Sequence, residues 1–357
     1  MSAAVASRAS ARQQASTGTG AVAAWLYLCA AMVFAMAVIG AITRLTESGL
    51  SIMEWNPIGG AIPPLSRAEW ERLFALYRET EQYRLTNAGM SLGDFQNIFW
   101  WEFVHRLWGR LIGLVYALPL AFFWWRGLVP ARLKGQLLGL LVLGGLQGAV
   151  GWFMVASGFG DRVEVSQYRL AIHLAIAVAI YGWLLYLAIG LTDRTPPASP
   201  ADRPLRLAFR LLLGLLAVTI LAGAFVAGTN AGFTYNTFPL MDGRLVPAGY
   251  GQLQPWLLNV FENVTAIQFN HRLLATLTVC GAWAAALWSF YRSESGAVRG
   301  AALLVAGAAS LQFLLGVAAL LAVVPTWLGA LHQAGALVLL GCLLLCLHRL
   351  RPGRAAR

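Results

Sequence analysis

Long apolar runs separated by short charged segments organise the whole chain. Ala21 to Thr43 carries no charge and is long enough for a bilayer, which takes about 20 mostly apolar residues. Further runs extend from Asn97 to Trp125, Leu133 to Ser157, Gln167 to Leu191, Leu207 to Gly228 and Glu262 to Tyr291. Gly300 to His348 contains no Asp, Glu, Lys or Arg and is too long for one span. Pro325 with Thr326 divides it in two. The pattern predicts an all-α integral membrane protein with eight transmembrane helices.

The pattern also repeats. Gly40-Ala41 recurs as Gly223-Ala224, an offset of 183, and His105-Arg106-Leu107 as His271-Arg272-Leu273, an offset of 166. Leu146-Gln147 with Gly151 recurs as Leu311-Gln312 with Gly316, offset 165, and His173 as His332, offset 159. The offsets shrink only across loops. Each half holds four spans, an even number, so the halves share one orientation. Two pseudo-symmetric parallel four-helix bundles are expected. The divisions are a flexible N-terminus (1–20), a first bundle (21–192) with a long outer loop (44–97), a linker (193–206), a second bundle (207–349) and a basic tail (350–357).

Composition agrees. Only 11% of the 357 residues are charged, 59% are hydrophobic and the mean hydropathy is +0.65. A soluble enzyme or a disordered chain is excluded. The net charge of +11 suggests nucleic acid until the charges are placed. One side holds 15 of the 26 basic residues, among them Arg126, Arg132, Arg194, Arg203, Arg292, Arg349 and the tail, against Asp193, Asp202 and Glu294. This is a topology signal that puts both termini in the cytoplasm or matrix. No nucleic-acid partner is expected. The basic residues are almost all Arg, with Lys134 the one Lys, which reads as a bacterial inner membrane rather than a mitochondrial one. Four Cys include no CxxC pair, against a disulfide scaffold or structural zinc. Cys342 and Cys346 read as small core residues.

Four of the five histidines form equivalent pairs, His105 with His173 and His271 with His332. Each lies on an even-numbered span near its outer end. Ionisable groups in spans are functional by default. Two imidazoles on facing helices are what a six-coordinate haem iron takes. Gly109 and Gly113 follow His105 on one helix face, making room for a macrocycle or for a neighbouring helix. Arg106, Arg272, Arg110 and Arg169 stand near the pairs, as partners for haem propionates or as snorkelling cations. His348 has no equivalent and is expected to be solvated. Glu102 precedes His105 by three residues, where the second half has Gln268. An acid in only one copy marks that copy for chemistry, unless it serves to orient an imidazole.

Several segments resemble the haem A synthase family: Thr43-Arg44-Leu45-Thr46-Glu47-Ser48-Gly49-Leu50-Ser51, Glu102-Phe103-Val104-His105-Arg106-Leu107-Trp108-Gly109-Arg110, Gly228-Thr229-Asn230-Ala231-Gly232 and Asn270-His271-Arg272. The resemblance covers about residues 25 to 348 and is closest to the mitochondrial and alphaproteobacterial branch. Other branches carry a Cys pair in the first outer loop, and this loop has none. The resemblance implies oxidation of the C8 methyl of haem O to a formyl group, by way of a hydroxymethyl intermediate. It implies His271 and His332 as ligands of a resident haem b, His105 and His173 as ligands of the substrate haem, and Glu102 as essential. The implied partners are haem O, the haem O synthase that supplies it, an electron acceptor or donor, membrane lipid and, in a homo-oligomer, further copies. The alternative is a dihaem bis-His electron-transfer protein without substrate chemistry. It accounts for the histidines but not for Glu102 against Gln268.

Overall fold

A computed structural model describes residues 2–56, 59–159 and 163–353, with side chains from residue 19 onward. Four of the 15 basic residues counted on one side, Arg8, Arg12, Arg354 and Arg357, lie outside the described side chains. In chain order the α-helices are α1 (Ser2–Leu45), α2 (Arg67–Arg78), α3 (Glu81–Leu85), α4 (Leu92–Trp125), α5 (Ala131–Val155), α6 (Gln167–Thr192), α7 (Arg203–Gly228), α8 (Leu258–Phe261), α9 (Val264–Arg292), α10 (Gly296–Leu321) and α11 (Thr326–Arg349). Eight of them, α1, α4, α5, α6, α7, α9, α10 and α11, are long and apolar enough to cross a membrane. The chain is an all-helical multi-pass membrane protein.

Helix ends are set by caps. Helix α4 starts at Leu92, five residues before the expected Asn97, because Ser91 and Asp94 form a reciprocal capping box. Asn263 starts α9 by accepting from the Thr265 and Ala266 N–H groups. The run from Gly300 to His348 breaks where expected. Helix α10 ends at Leu321, Val323 and Val324 take left-handed φ values of 59° and 50°, and Pro325 is the N-cap of α11. Two β-branched residues in that region are strained.

The helices pack as two rings. Helix α1 packs on α4 and α6, and α5 on the same two; α7 packs on α9 and α11, and α10 on the same two. The rings meet through α1 against α11 and α6 against α7 and α11. Inside a bilayer, helices associate through close packing of small residues. Ala282, Ala286, Ala301, Ala302 and Ala306 of α9 and α10 are fully buried. The repeat reappears in the backbone. Glu47 (φ 53°) and Asn230 (φ 55°), offset by 183, each turn left-handed and open a 3₁₀ turn, Ser48–Leu50 and Ala231–Phe233.

The loop between the first two membrane helices is a folded cap rather than an irregular connection. Ser66 caps α2, and Trp70, Leu73, Phe74 and Tyr77 recur at helical spacing. They pack with Tyr83 onto Phe95, Phe99 and Phe103 of α4. The buried Tyr77 hydroxyl donates to Gln82 Oε1 (3.0 Å), and Gln82 Nε2 donates to the Glu47 carbonyl (3.0 Å). At the cap's surface, Arg72 grips Glu54 through two hydrogen bonds (2.8 and 3.0 Å), which holds that carboxyl below the usual carboxylate range.

His348 corrects the sequence expectation. It is not solvated but 6% exposed, edge-on to Tyr186 with ring centroids 5.9 Å apart. Cys346 is fully buried in the core, and Cys342 packs against that core. Replacing both with Ser is expected to keep most of the activity. A hydroxyl at 346 can bond the carbonyl one turn back, so little packing is lost. Complete loss of activity on assay of the double variant would reveal a redox pair.

Candidate functional site

The four paired histidines sit on α4, α6, α9 and α11, and each lies against a glycine of a neighbouring helix. A Cβ on Gly40 would come 3.3 Å from His105 Nε2, and one on Gly223 would come 3.0 Å from His271 Cε1. A Cβ on Gly151 would come 3.0 Å from His173 Cε1, and one on Gly316 would come 2.8 Å from His332 Cε1. Any larger residue at these four positions pushes the imidazole aside. In the sequence these glycines serve only to align the halves; their contact with histidine is made by the fold.

Glutamines add to the arrangement. Gln312 Nε2 donates to the His332 carbonyl (2.9 Å) and stands 3.1 Å from its Nδ1. Gln147 Nε2 donates to the His173 carbonyl (3.0 Å) and stands 3.3 Å from its Nε2. His173 Nδ1 is buried with no hydrogen-bond partner among the described residues.

The second pair has a geometry that can be tested against a haem. Imidazoles on opposite faces of an iron, with metal–nitrogen bonds of about 2 Å, hold their ring centres roughly 6 Å apart. The His271 and His332 centroids are 6.3 Å apart, with planes at 88°. His271 Nδ1 is 3.1 Å from the Thr219 carbonyl. A proton on Nδ1 is donated there, and the Nε2 lone pair stays free for a metal. Among the described residues no group of three or more His, Cys, Asp or Glu is placed to hold a metal ion. The second pair thus stands at the spacing of two ligands on one porphyrin iron. The residues fit the group.

The substitution of Glu102 by Gln268 has a clear structural setting. Glu102 is 2% exposed. Its Oε2 accepts from Ser51 Oγ (2.8 Å) and the Ile52 N–H (2.8 Å), and its Oε1 accepts from Arg106 Nε (3.0 Å) and Nη2 (2.5 Å). Gln268 Nε2 donates to the Ala231 (2.7 Å) and Thr234 (2.5 Å) carbonyls, and its Oε1 accepts from Arg272 Nη2 (3.0 Å). Residues 48 and 51 correspond to 231 and 234 by the offset of 183. Both side chains thus tie the 3₁₀ turn to the histidine helix. The acid does so by accepting and the amide mostly by donating.

The four arginines near the pairs are engaged with backbone. Arg106 donates to the Ile52 (2.8 Å) and Glu54 (3.1 Å) carbonyls, and Arg272 to those of Tyr235 (2.5 Å) and Thr237 (2.8 Å). Arg110 donates to the Asn56 carbonyl (2.9 Å). Arg169 donates to the Phe153 carbonyl (2.6 Å) and lies over the Phe153 ring. Arg106, Arg110 and Arg272 thus brace loop backbone, and Arg169 braces the end of α5. A Cβ on Gly109 would come 3.4 Å from Met36 Cε, whereas one on Gly113 would meet nothing within 4 Å. A bridge that the sequence did not suggest joins the two halves. Arg44 donates to Glu164 (2.9 Å) and to Asn230 (2.9 Å), and Asn230 donates to Glu164 (2.6 Å).

These contacts predict a graded response to added methyl groups. Gly316→Ala is expected to displace His332 and lower haem content, with overpacking costing about 1–3 kcal/mol. Gly300→Ala, with open space at its Cβ near the other end of α10, is expected to change nothing. Haem absorbance of the two purified variants checks both, and equal spectra would contradict the assignment of Gly316.

A family model, COX15-CtaA, described as "cytochrome oxidase assembly protein", matches residues 23–344. The chain is similar to a protein named heme A synthase from Rhodospirillum centenum, 52% identical over 97% of this chain and 92% of the relative. It is also similar to proteins of that name from Granulibacter bethesdensis (49%, over 94% and 89%) and Nitrosospira multiformis (46%, over 92% and 93%).

Proposed function

The chain belongs to the COX15-CtaA family, its function is that of a haem A synthase, and we propose that it oxidises a ring methyl of haem O to a formyl group in its first bundle while the second bundle holds haem b. The observation that carries the division is the replacement of Glu102 by Gln268 at equivalent places beside equivalent histidine pairs. The proposed haem b ligands are His271 and His332, and the proposed substrate ligands are His105 and His173. Arg106, Arg110, Arg169 and Arg272 supply positive charge for the propionates. The proposed setting is a bacterial inner membrane with both termini in the cytoplasm, from the arginine distribution.

When bound, haem b supplies one-electron transfer. The substrate methyl is benzylic-like, and withdrawing two electrons from the macrocycle acidifies its C–H bonds. A base takes one proton, and water adds to the resulting cation and releases another, giving the hydroxymethyl compound. A second such round gives the gem-diol, which loses water to become the aldehyde. The electrons leave to an acceptor of unassigned identity. Glu102 is the proposed base, or the group that orders the water. Arg106 holds Oε1, and Ser51 and the Ile52 N–H hold Oε2. The Ser51 hydroxyl is the donor that can rotate to become an acceptor, so Oε2 is the oxygen that can be released.

Acid extraction and separation of the purified protein's haems tests the reading. Haem O, haem A or the hydroxylated intermediate beside haem b is the expected result. Haem b alone would favour a dihaem electron carrier without substrate chemistry.

A further inference from the structure

A second polar site lies at the arginine-rich end of the molecule, away from the four paired histidines. A cavity of about 500 Å³ opens between α5, α6 and α11 and the linker that joins the two halves. Along α6, its lining residue Gly190 is 17 residues from His173, roughly 25 Å at the helical rise. It is thus separate from the haem region.

Three observations define its chemistry. Its lining is cationic: Arg132 and Arg351 both face it, and neither has an ion-pair partner among the described residues. Arg351 is held in place by the Thr195 carbonyl (2.5 Å) and the His348 carbonyl (2.9 Å), whereas Arg132 is exposed. His348 also lines the cavity, is 6% exposed, and its Nε2 is buried without a hydrogen-bond partner among the described residues. A buried polar nitrogen is costly to leave unpaired and calls for a partner. The rest of the wall is largely apolar, with Leu133, Leu187 and Leu191, and also carries Gln136 and Tyr186.

A cationic rim, a buried acceptor nitrogen and a leucine wall at the membrane surface match one ligand class. We propose that this cavity binds the headgroup of an anionic phospholipid bearing a free hydroxyl, of the phosphatidylglycerol type. Its phosphate meets Arg132 and Arg351, its hydroxyl donates to His348 Nε2, and its acyl chains follow the leucines. Basic pockets between membrane helices are suited to anionic headgroups, and phosphate is a natural guanidinium partner. A phosphatidylcholine headgroup brings a quaternary ammonium against two arginines and has no hydrogen-bond donor to give to His348. The site also touches the joint between the halves. The Ala198 N–H of the linker donates to the Arg351 carbonyl (3.0 Å), so a bound lipid lies against the segment that holds the two bundles together.

The test uses the full-length protein, purified in detergent with its haem. Short-chain phosphatidylglycerol, short-chain phosphatidylcholine and inorganic phosphate are compared by native mass spectrometry and by the shift of the thermal midpoint. Phosphatidylglycerol is expected to bind at least about tenfold more tightly than phosphatidylcholine. Arg132→Glu and, separately, His348→Phe, which removes the acceptor nitrogen, are expected to abolish that preference while the haem spectrum stays unchanged. Because Arg132 is exposed, its variant keeps the test valid even if the His348 variant folds poorly. Equal binding of the two lipids overturns the proposal, as does a preference that survives Arg132→Glu. Inorganic phosphate stabilising as strongly as phosphatidylglycerol would overturn it too, by assigning the site to a soluble anion.

Discussion

Glu102→Gln is expected to leave haem b in place and to cut haem A formation by about 10²- to 10⁴-fold, the usual effect of losing a general base. The amide has the shape of the carboxylate and the identity of Gln268 in the other half. Its oxygen can still accept from Arg106 Nη2, as Gln268 Oε1 does from Arg272. On the other side its NH₂ meets the Ile52 N–H, which donates to Glu102 Oε2 in the native protein. One hydrogen bond is therefore lost at the turn, while the two histidine ligands nearby are untouched. The variant should take up haem O and accumulate it, with some hydroxylated intermediate, on extraction and separation of its haems. Haem A made at nearly the native rate would reduce Glu102 to a brace for the 51–52 turn. Ser51→Ala separates the two roles further. It removes the rotatable donor on Oε2 but keeps the carboxylate, and should give a much smaller loss.

His271→Ala and His332→Ala are each expected to remove one low-spin haem b and to destabilise the second bundle. The two rings meet edge-on among helices packed through alanines, with Gly223 and Gly316 hard against them. Truncation leaves a void that these small neighbours cannot fill, and a partner imidazole without its opposite number. The loss should appear in the low-spin haem absorbance and in a lowered thermal midpoint. Full retention of haem b by both variants would place it in the first bundle and reverse the assignment of the halves. His105→Ala and His173→Ala should keep haem b and lose substrate.

The membrane helices are legible in the sequence because a bilayer demands unbroken apolar length, and only Pro325 had to be weighed to separate the last two. The histidine pairs are legible because the chain repeats. What the sequence hides is the facing of one helix on another. Gly40, Gly151, Gly223 and Gly316 read as alignment marks, and nothing local says that each one touches an imidazole. Glu102 is visible as an oddity, but besides Arg106 one turn on, its carboxylate is held by Ser51 and Ile52, half a hundred residues earlier and across a folded loop. Helix α2 did leave a signal, Trp70, Leu73, Phe74 and Tyr77 at helical spacing behind a Ser cap, hidden in a stretch too polar to draw attention. The burial of His348 was concealed by its neighbour Arg349. A charged flank reads as an interface, and the covering Tyr186 comes from α6.

The packing of α1 on α11 bears on how the protein is made. The ribosome delivers α1 first, and its contacts with α4 and α6 become available early. The face that meets α11 waits until the last span is synthesised. Leu45 at the end of α1 lies against Gly329 in the second turn of α11, so this seam closes only at the end of translation. A chain stalled before residue 326 would present the membrane with a first ring complete on its own side and bare along α1 and α6. Lipid would lie along that edge until α11 arrives, which makes the last helix the one that covers the first.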